Sequence, residues 1–138
     1  YMEITQYKKE YKSYDHVVFS CQYHVIFTPK YRRKVLVNGI DERLKELIIE
    51  KENDYGYKII EMEVMPDHVH LLIDLKPRID VIRCVNLIKG YTSHVLRDEF
   101  PVLRRKIPTL WTRSKFIASV GAVTLEVVEK YIEDQKKV

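Results

Sequence analysis

Two histidines stand at alternate positions in His68-Val69-His70, bounded by Met65-Pro66-Asp67 and Leu71-Leu72-Ile73. In an extended strand successive side chains point to opposite faces, so residues two apart share one face about 7 Å apart along the strand. That is close enough for two imidazoles to meet one metal ion, while Val69, Leu71 and Ile73 point the other way into a core. Imidazole suits borderline divalent ions such as manganese, and a neutral amide oxygen from Gln135 is a fitting third ligand. Tyr131 stands four residues before Gln135. On a helix that spacing puts both side chains on one face, about 5 to 6 Å apart. A metal and a phenol together point to phosphodiester chemistry. A phenol with pKa about 10 is almost entirely protonated at neutral pH, so it attacks only with help from a base or an electrophilic phosphate. The product is a phosphotyrosine ester, which keeps the energy of the broken phosphodiester and lets a later 3′-hydroxyl rejoin the strand without ATP.

The elements that must position these groups follow from periodicity. His16 to Thr28 is rich in β-branched and aromatic residues and ends at Pro29, which predicts one long buried strand. Asp41 is the expected cap of a helix whose apolar stripe is Leu44, Leu47, Ile48 and Ile49, with Gly56 as its C-terminal glycine. Tyr57 to Val64 and His68 to Leu75 alternate as two strands of a hairpin, turned at Met65-Pro66-Asp67, where Asp67 shapes the turn. Ile79, Ile82, Val85, Leu87, Ile88, Tyr91, Val95 and Leu96 mark a second helix ending before Pro101. Trp111 to Val120 is a fourth strand. Gly121 breaks it and is a candidate pivot, and Thr124 caps a last helix with Glu126 and Glu129 near its positive end.

The order strand, helix, strand, strand, helix, strand, helix implies an α+β fold, a ferredoxin-like (RRM-like) split βαβ sheet with an added C-terminal helix carrying the tyrosine. Its first and third strands are central, so His68 and His70 sit on a rigid middle strand. One domain is expected over 1–138, with a core over about 14–120 and the tyrosine helix over 122–137.

The chain has 138 residues, 46% of them hydrophobic, enough for a single core. Lys and Arg number 24 against 20 Asp and Glu, a formal charge of +4 that permits a polyanionic partner. The positive charge is concentrated in Lys30-Tyr31-Arg32-Arg33-Lys34, in Arg104-Arg105-Lys106 and in Arg113 with Lys115, and a tyrosine inside the first cluster adds a stacking surface. A solvated charged loop is the alternative reading of each cluster. Cys21 and Cys84 stand apart, which excludes a zinc knuckle or disulfide framework and leaves two core residues. His16, His24 and His94 have no partner at ligand spacing and read as structural or solvent-facing. No apolar run approaches a membrane span, so a cytoplasmic protein is the default expectation.

Met65-Pro66-Asp67-His68-Val69-His70-Leu71-Leu72, Leu87-Ile88-Lys89-Gly90, Leu110-Trp111, Ser119-Val120-Gly121 and Tyr131-Ile132-Glu133-Asp134-Gln135-Lys136 together resemble the TnpA transposases of the smallest bacterial and archaeal insertion sequences, the IS200/IS605 group. These are single-tyrosine HUH enzymes, and the resemblance runs from about Tyr14 to Lys136. It implies that His68 and His70 are metal ligands, that Gln135 is the additional ligand and that Tyr131 is the nucleophile that becomes linked to a 5′-phosphate. It implies Mg2+ or Mn2+ as cofactor. It also implies a homodimer that binds single-stranded DNA hairpins at element ends, often with the tyrosine helix acting in trans. Arg32, Arg33 and Lys34, then Lys89, Arg113 and Lys115, are the expected DNA-binding residues. The family often has an aromatic where Lys115 stands, which puts a stacking contact there in doubt. A non-catalytic single-stranded nucleic-acid binding module and a domesticated relative remain alternatives on sequence alone.

Overall fold

The computed structural model describes residues 12–14, 17–19, 21–120 and 125–137. Strands β1 (Lys12–Tyr14) and β2 (Val17–Phe19) pair with each other as a small antiparallel sheet. The main sheet has four antiparallel strands, β3 (Gln22–Phe27), β4 (Tyr57–Met65), β5 (His68–Leu75) and β6 (Phe116–Ser119), in the spatial order β4-β5-β3-β6. The two middle strands are thus β5 and β3. Helices α1 (Ile40–Glu50) and α2 (Glu52–Tyr55) join β3 to β4, α3 (Val81–Glu99) and α4 (Val102–Lys106) join β5 to β6, and α5 (Leu125–Asp134) follows.

Alternation sorts the middle strands cleanly. Val25, Phe27, Val69, Leu71, Ile73 and Leu75 share one face and pack with Leu44, Leu47 and Ile48 of α1 and Val85, Ile88 and Leu96 of α3 in the main core. Edge-on contact between Phe27 and Trp111, with centroids 4.7 Å apart, closes its far side. The opposite face carries the cross-strand row Glu63, His70, Ile26 and Phe116. Against it lie Val128 and Ile132 of α5, which form a second small core with Ile26. The sheet is therefore covered on both faces, and β5 is buried almost throughout.

The expected single strand over His16 to Thr28 is two separate strands. Val17–Phe19 turns back onto Lys12–Tyr14, and only Gln22–Phe27 joins the main sheet, because composition signals extended backbone without choosing its partner. The first helix starts at Ile40, with Gly39 as N-cap in the left-handed region (φ 95°). Asp41 thus lies in the first turn, where its charge meets the positive end of the dipole, and does not cap. Ile49 is 51% exposed, a step round from the buried stripe of Leu44, Leu47 and Ile48. Gly56, at φ 80°, ends α2 with its N–H on the Glu52 carbonyl, as expected of a C-terminal glycine. Helix α3 begins later than Ile79: Asp80 caps it, its carboxylate accepting from the N–H groups of Ile82 and Arg83.

The fourth strand is also shorter than Trp111 to Val120. Trp111 makes a lone bridge to Pro29, and regular pairing starts only at Phe116. The carbonyls of Thr112, Arg113 and Ser114 are taken by the Lys89 ammonium, at 2.7, 3.3 and 3.3 Å, which bends that stretch away from the ladder. Gly121 (the candidate pivot), Thr124 (the expected cap) and His16 (read as structural or solvent-facing) lie outside the described residues. Among the described residues no helix is long and apolar enough to cross a membrane.

Candidate active site

His68 and His70 lie on the face of β5 that α5 covers, and both are buried. His70 is wholly enclosed. Asp67, just ahead of the strand, accepts a hydrogen bond from His68 Nδ1 at 2.9 Å. A carboxylate only accepts, so the hydrogen is on Nδ1, and in the neutral ring Nε2 carries the lone pair. Asp67 was expected only to shape the turn; its side chain instead orients the histidine.

His70 has a partner that spacing did not reveal. Across the ladder, His24 of β3 brings its Nδ1 to 3.2 Å from His70 Nε2, with the two rings tilted and 5.4 Å apart. Burial is the main cause that pushes the His70 pKa down to about 4, with the neighbouring His24 and His68 adding to it, and burial also lowers that of His24. Both rings are therefore neutral near pH 7 and share one hydrogen. With that hydrogen on His70 Nε2, the lone pair of His70 Nδ1 is left over, and this buried atom has no hydrogen-bond partner among the described residues. A second missed neighbour is Glu63, the cross-strand partner of His70, whose Oε1 is 4.0 Å from His68 Nε2. The hairpin register was the signal that could have found it.

Tyr131 lies on α5, its ring against Phe116 at 5.3 Å between centroids, packed with the Ile26 cluster. Ile26 is the direct cross-strand partner of His70, so the phenol's helix and the histidine strand meet on one face of one chain. Burial raises the Tyr131 pKa, with the Ser114 hydroxyl acting in the opposite direction. Gln135 begins a 3-10 turn after α5, and its buried amide oxygen accepts from Ser114 Oγ at 2.6 Å. One lone pair of that oxygen remains for a ligand role. Ser114 thus anchors Gln135, while the buried Tyr131 hydroxyl makes no hydrogen bond among the described residues.

The six basic residues separate by environment. Arg33, Lys34 and Arg113 are exposed, and Lys115 is half-buried. Arg32, expected to contact phosphate, points inward to Asp67 and α5, where it makes ion pairs. Lys89 is 9% exposed and committed to three carbonyls, so it braces the loop before β6 and is not a free phosphate-binding cation. Burial, then the charge of Lys115, lowers its pKa from 10.5 to about 8. Between those pH values the unfolded chain holds the extra proton, so this residue's contribution makes the fold more stable as pH rises from about 8 to 10.5. At 1.36 kcal/mol per pH unit the change is about 3 kcal/mol. Cys84 and Tyr57, both raised by burial, work in the opposite direction. We therefore expect the stability of the wild type minus that of Lys89→Met, from urea midpoints at pH 8, 9 and 10, to climb across this range; a constant difference contradicts the assignment.

With the geometry in place, comparisons with known proteins agree on one class, the transposases. The profile described as "Transposase IS200 like" matches residues 17–135. The ISDra2 transposase TnpA of Deinococcus radiodurans is 36% identical over 120 residues, covering 86% of each chain. The transposase of insertion sequence IS200 from Salmonella typhimurium is 32% identical over 127 residues, covering 90% of this chain and 82% of its own. A crystal structure of a transposase from Deinococcus radiodurans superposes with a TM-score of 0.82 at 31% identity, covering 90% of this chain and 97% of the other. A REP-associated tyrosine transposase bound to a REP hairpin shares the fold, with a TM-score of 0.57 at 15% identity, covering 94% of this chain and 68% of that one. The chain belongs to the IS200-like transposase family and is of the TnpA type.

Proposed function

We propose that this protein is a DNA transposase that cleaves and rejoins single-stranded DNA through a 5′-phosphotyrosine intermediate at Tyr131, recognising hairpins at the ends of its element. The observation that carries this reading is the shared face: the histidine strand and the tyrosine helix meet over Ile26 within one chain. We read the β4-β5-β3-β6 order as the ferredoxin-like arrangement, one domain with α5 as its tyrosine helix.

The donor set fits a divalent cation. His68 presents Nε2 because Asp67 holds Nδ1, His70 has a leftover buried nitrogen, and Gln135 keeps a free lone pair. These three residues would hold Mg2+ or Mn2+, with Glu63 as an acidic neighbour. When bound, the cation supplies Lewis-acid polarisation of the scissile phosphate and favours the phenolate. Tyr131 needs that help, since burial makes its proton harder to remove. Its oxygen forms the bond to phosphorus as the bond to the 3′-oxygen breaks, leaving a free 3′-hydroxyl and a 5′-phosphate on the protein. The reverse attack by a 3′-hydroxyl reseals DNA and frees the phenol. Packing against Phe116 and Ile26 limits the phenol's freedom, which lowers the entropic cost of attack.

Arg33, Lys34, Arg113 and Lys115 would grip the hairpin phosphates, and Tyr31, half exposed beside Lys30, offers a ring for an unpaired base. The working assembly is a homodimer in the cytoplasm. In the arrangement described, α5 covers its own chain's histidines, so action in trans requires α5 to leave the Ile26 cluster. The test is incubation with single-stranded oligonucleotides covering the ends of the encoding element. Cleavage is expected with Mn2+ on the hairpin-bearing strand and none with chelator. Hairpin binding without cleavage under both conditions would overturn the enzymatic reading in favour of a binding module.

A further inference from the structure

Arg32 sits where the two halves of the site meet. Its Nε is 2.9 Å from Asp67 Oδ2, and the other oxygen of that carboxylate holds His68 Nδ1 at 2.9 Å. Its Nη1 donates at 3.1 Å to the Ile132 carbonyl and at 3.1 Å to Glu133 Oε2, the two residues that follow Tyr131. The guanidinium is 15% exposed and Asp67 14%, so neither bond is diluted by bulk water as a surface pair is. Glu133 is largely exposed, which leaves the Ile132 carbonyl as the stronger anchor on α5. The backbone is shaped for this aim. Tyr31 and Arg32 both adopt positive φ, 58° and 52°, a conformation costing non-glycine residues of order 1 kcal/mol or more each, which persists where the surroundings over-determine it.

We infer that Arg32 is the positioning residue of the site, a single planar cation that fixes the His68 ring through Asp67 and docks the end of the tyrosine helix in the same frame. This rests on the proposed roles of His68 and Tyr131. A lysine cannot reproduce it, since a point ammonium lacks the fork that reaches a carboxylate on one side and a helix carbonyl on the other.

The test uses the full chain with Arg32→Ala, Arg32→Lys, Asp67→Asn and Glu133→Gln. In metal-free protein, amide hydrogen exchange across residues 126–134 is expected to quicken at least about tenfold in Arg32→Ala, less in Arg32→Lys and least in Glu133→Gln, with the main-core amides of β5 unchanged. Mn2+ affinity by calorimetry is expected to fall about 10- to 100-fold in Arg32→Ala and Asp67→Asn and to stay within twofold in Glu133→Gln. Hairpin affinity in chelator is expected to stay within twofold of wild type in every variant. Unchanged α5 exchange with Mn2+ affinity within twofold overturns the inference. So does a loss confined to hairpin binding with a salt slope reduced by about one phosphate, which would make Arg32 a DNA contact. If Arg32→Ala fails to fold, Arg32→Lys and Asp67→Asn carry the same comparisons. Wild-type protein that forms no DNA adduct refutes the proposed function, while the exchange measurement still decides whether Arg32 holds α5.

Discussion

Tyr131→Phe is expected to abolish the protein–DNA adduct, with strand cleavage falling by about 10^3-fold or more, while the fold stays within about 1 kcal/mol of wild type. The change removes one oxygen and keeps the ring that packs on Phe116 and the Ile26 cluster, so the helix retains its seat. Hairpin binding should not move, because the phenol is not among the exposed basic residues that would carry it. Gel-resolved cleavage and adduct yield, beside a urea titration, make the check. Residual adduct in Tyr131→Phe would mean that another of the ten tyrosines is the nucleophile.

His70→Ala is the second large effect. We expect Mn2+ affinity to weaken more than 100-fold and metal-dependent cleavage to vanish, since a first ligand matters more than the outer partners, whose loss costs 10- to 100-fold. The fold should also lose about 1 to 3 kcal/mol, because His24 is left buried opposite an empty space with its Nδ1 unpaired. Calorimetric Mn2+ titration and urea denaturation separate the two losses. His24→Ala should follow the same direction more weakly, through loss of the ring that orients His70.

What the sequence could disclose was set by local pattern. Alternation around Val69 separated the histidines from the core side chains, and the Met65-Pro66-Asp67 turn located the hairpin, because both depend on neighbours in the chain. Tyr131 lies within α5, whereas Gln135 opens a tighter turn directly after it, so the i, i+4 spacing spans the helix end. Contacts made across the sheet stayed hidden. His24 meets His70 only because β3 and β5 pair in one register, and Glu63 reaches His68 only through the hairpin. Arg32 and Lys89 read as phosphate-binding cations because charge in a sequence carries no direction. Folding turns one toward Asp67 and α5 and buries the other under the loop before β6.

On the proposed mechanism one phenol, delivered by α5 to the histidine face, becomes joined to DNA. Tandem mass spectrometry of the adduct formed on element-end oligonucleotides with Mn2+ tests it most directly. The expected product is a nucleotide-modified peptide whose 5′-phosphate is on Tyr131. A modified residue other than Tyr131, or cleavage products with no linked peptide at all, would contradict it.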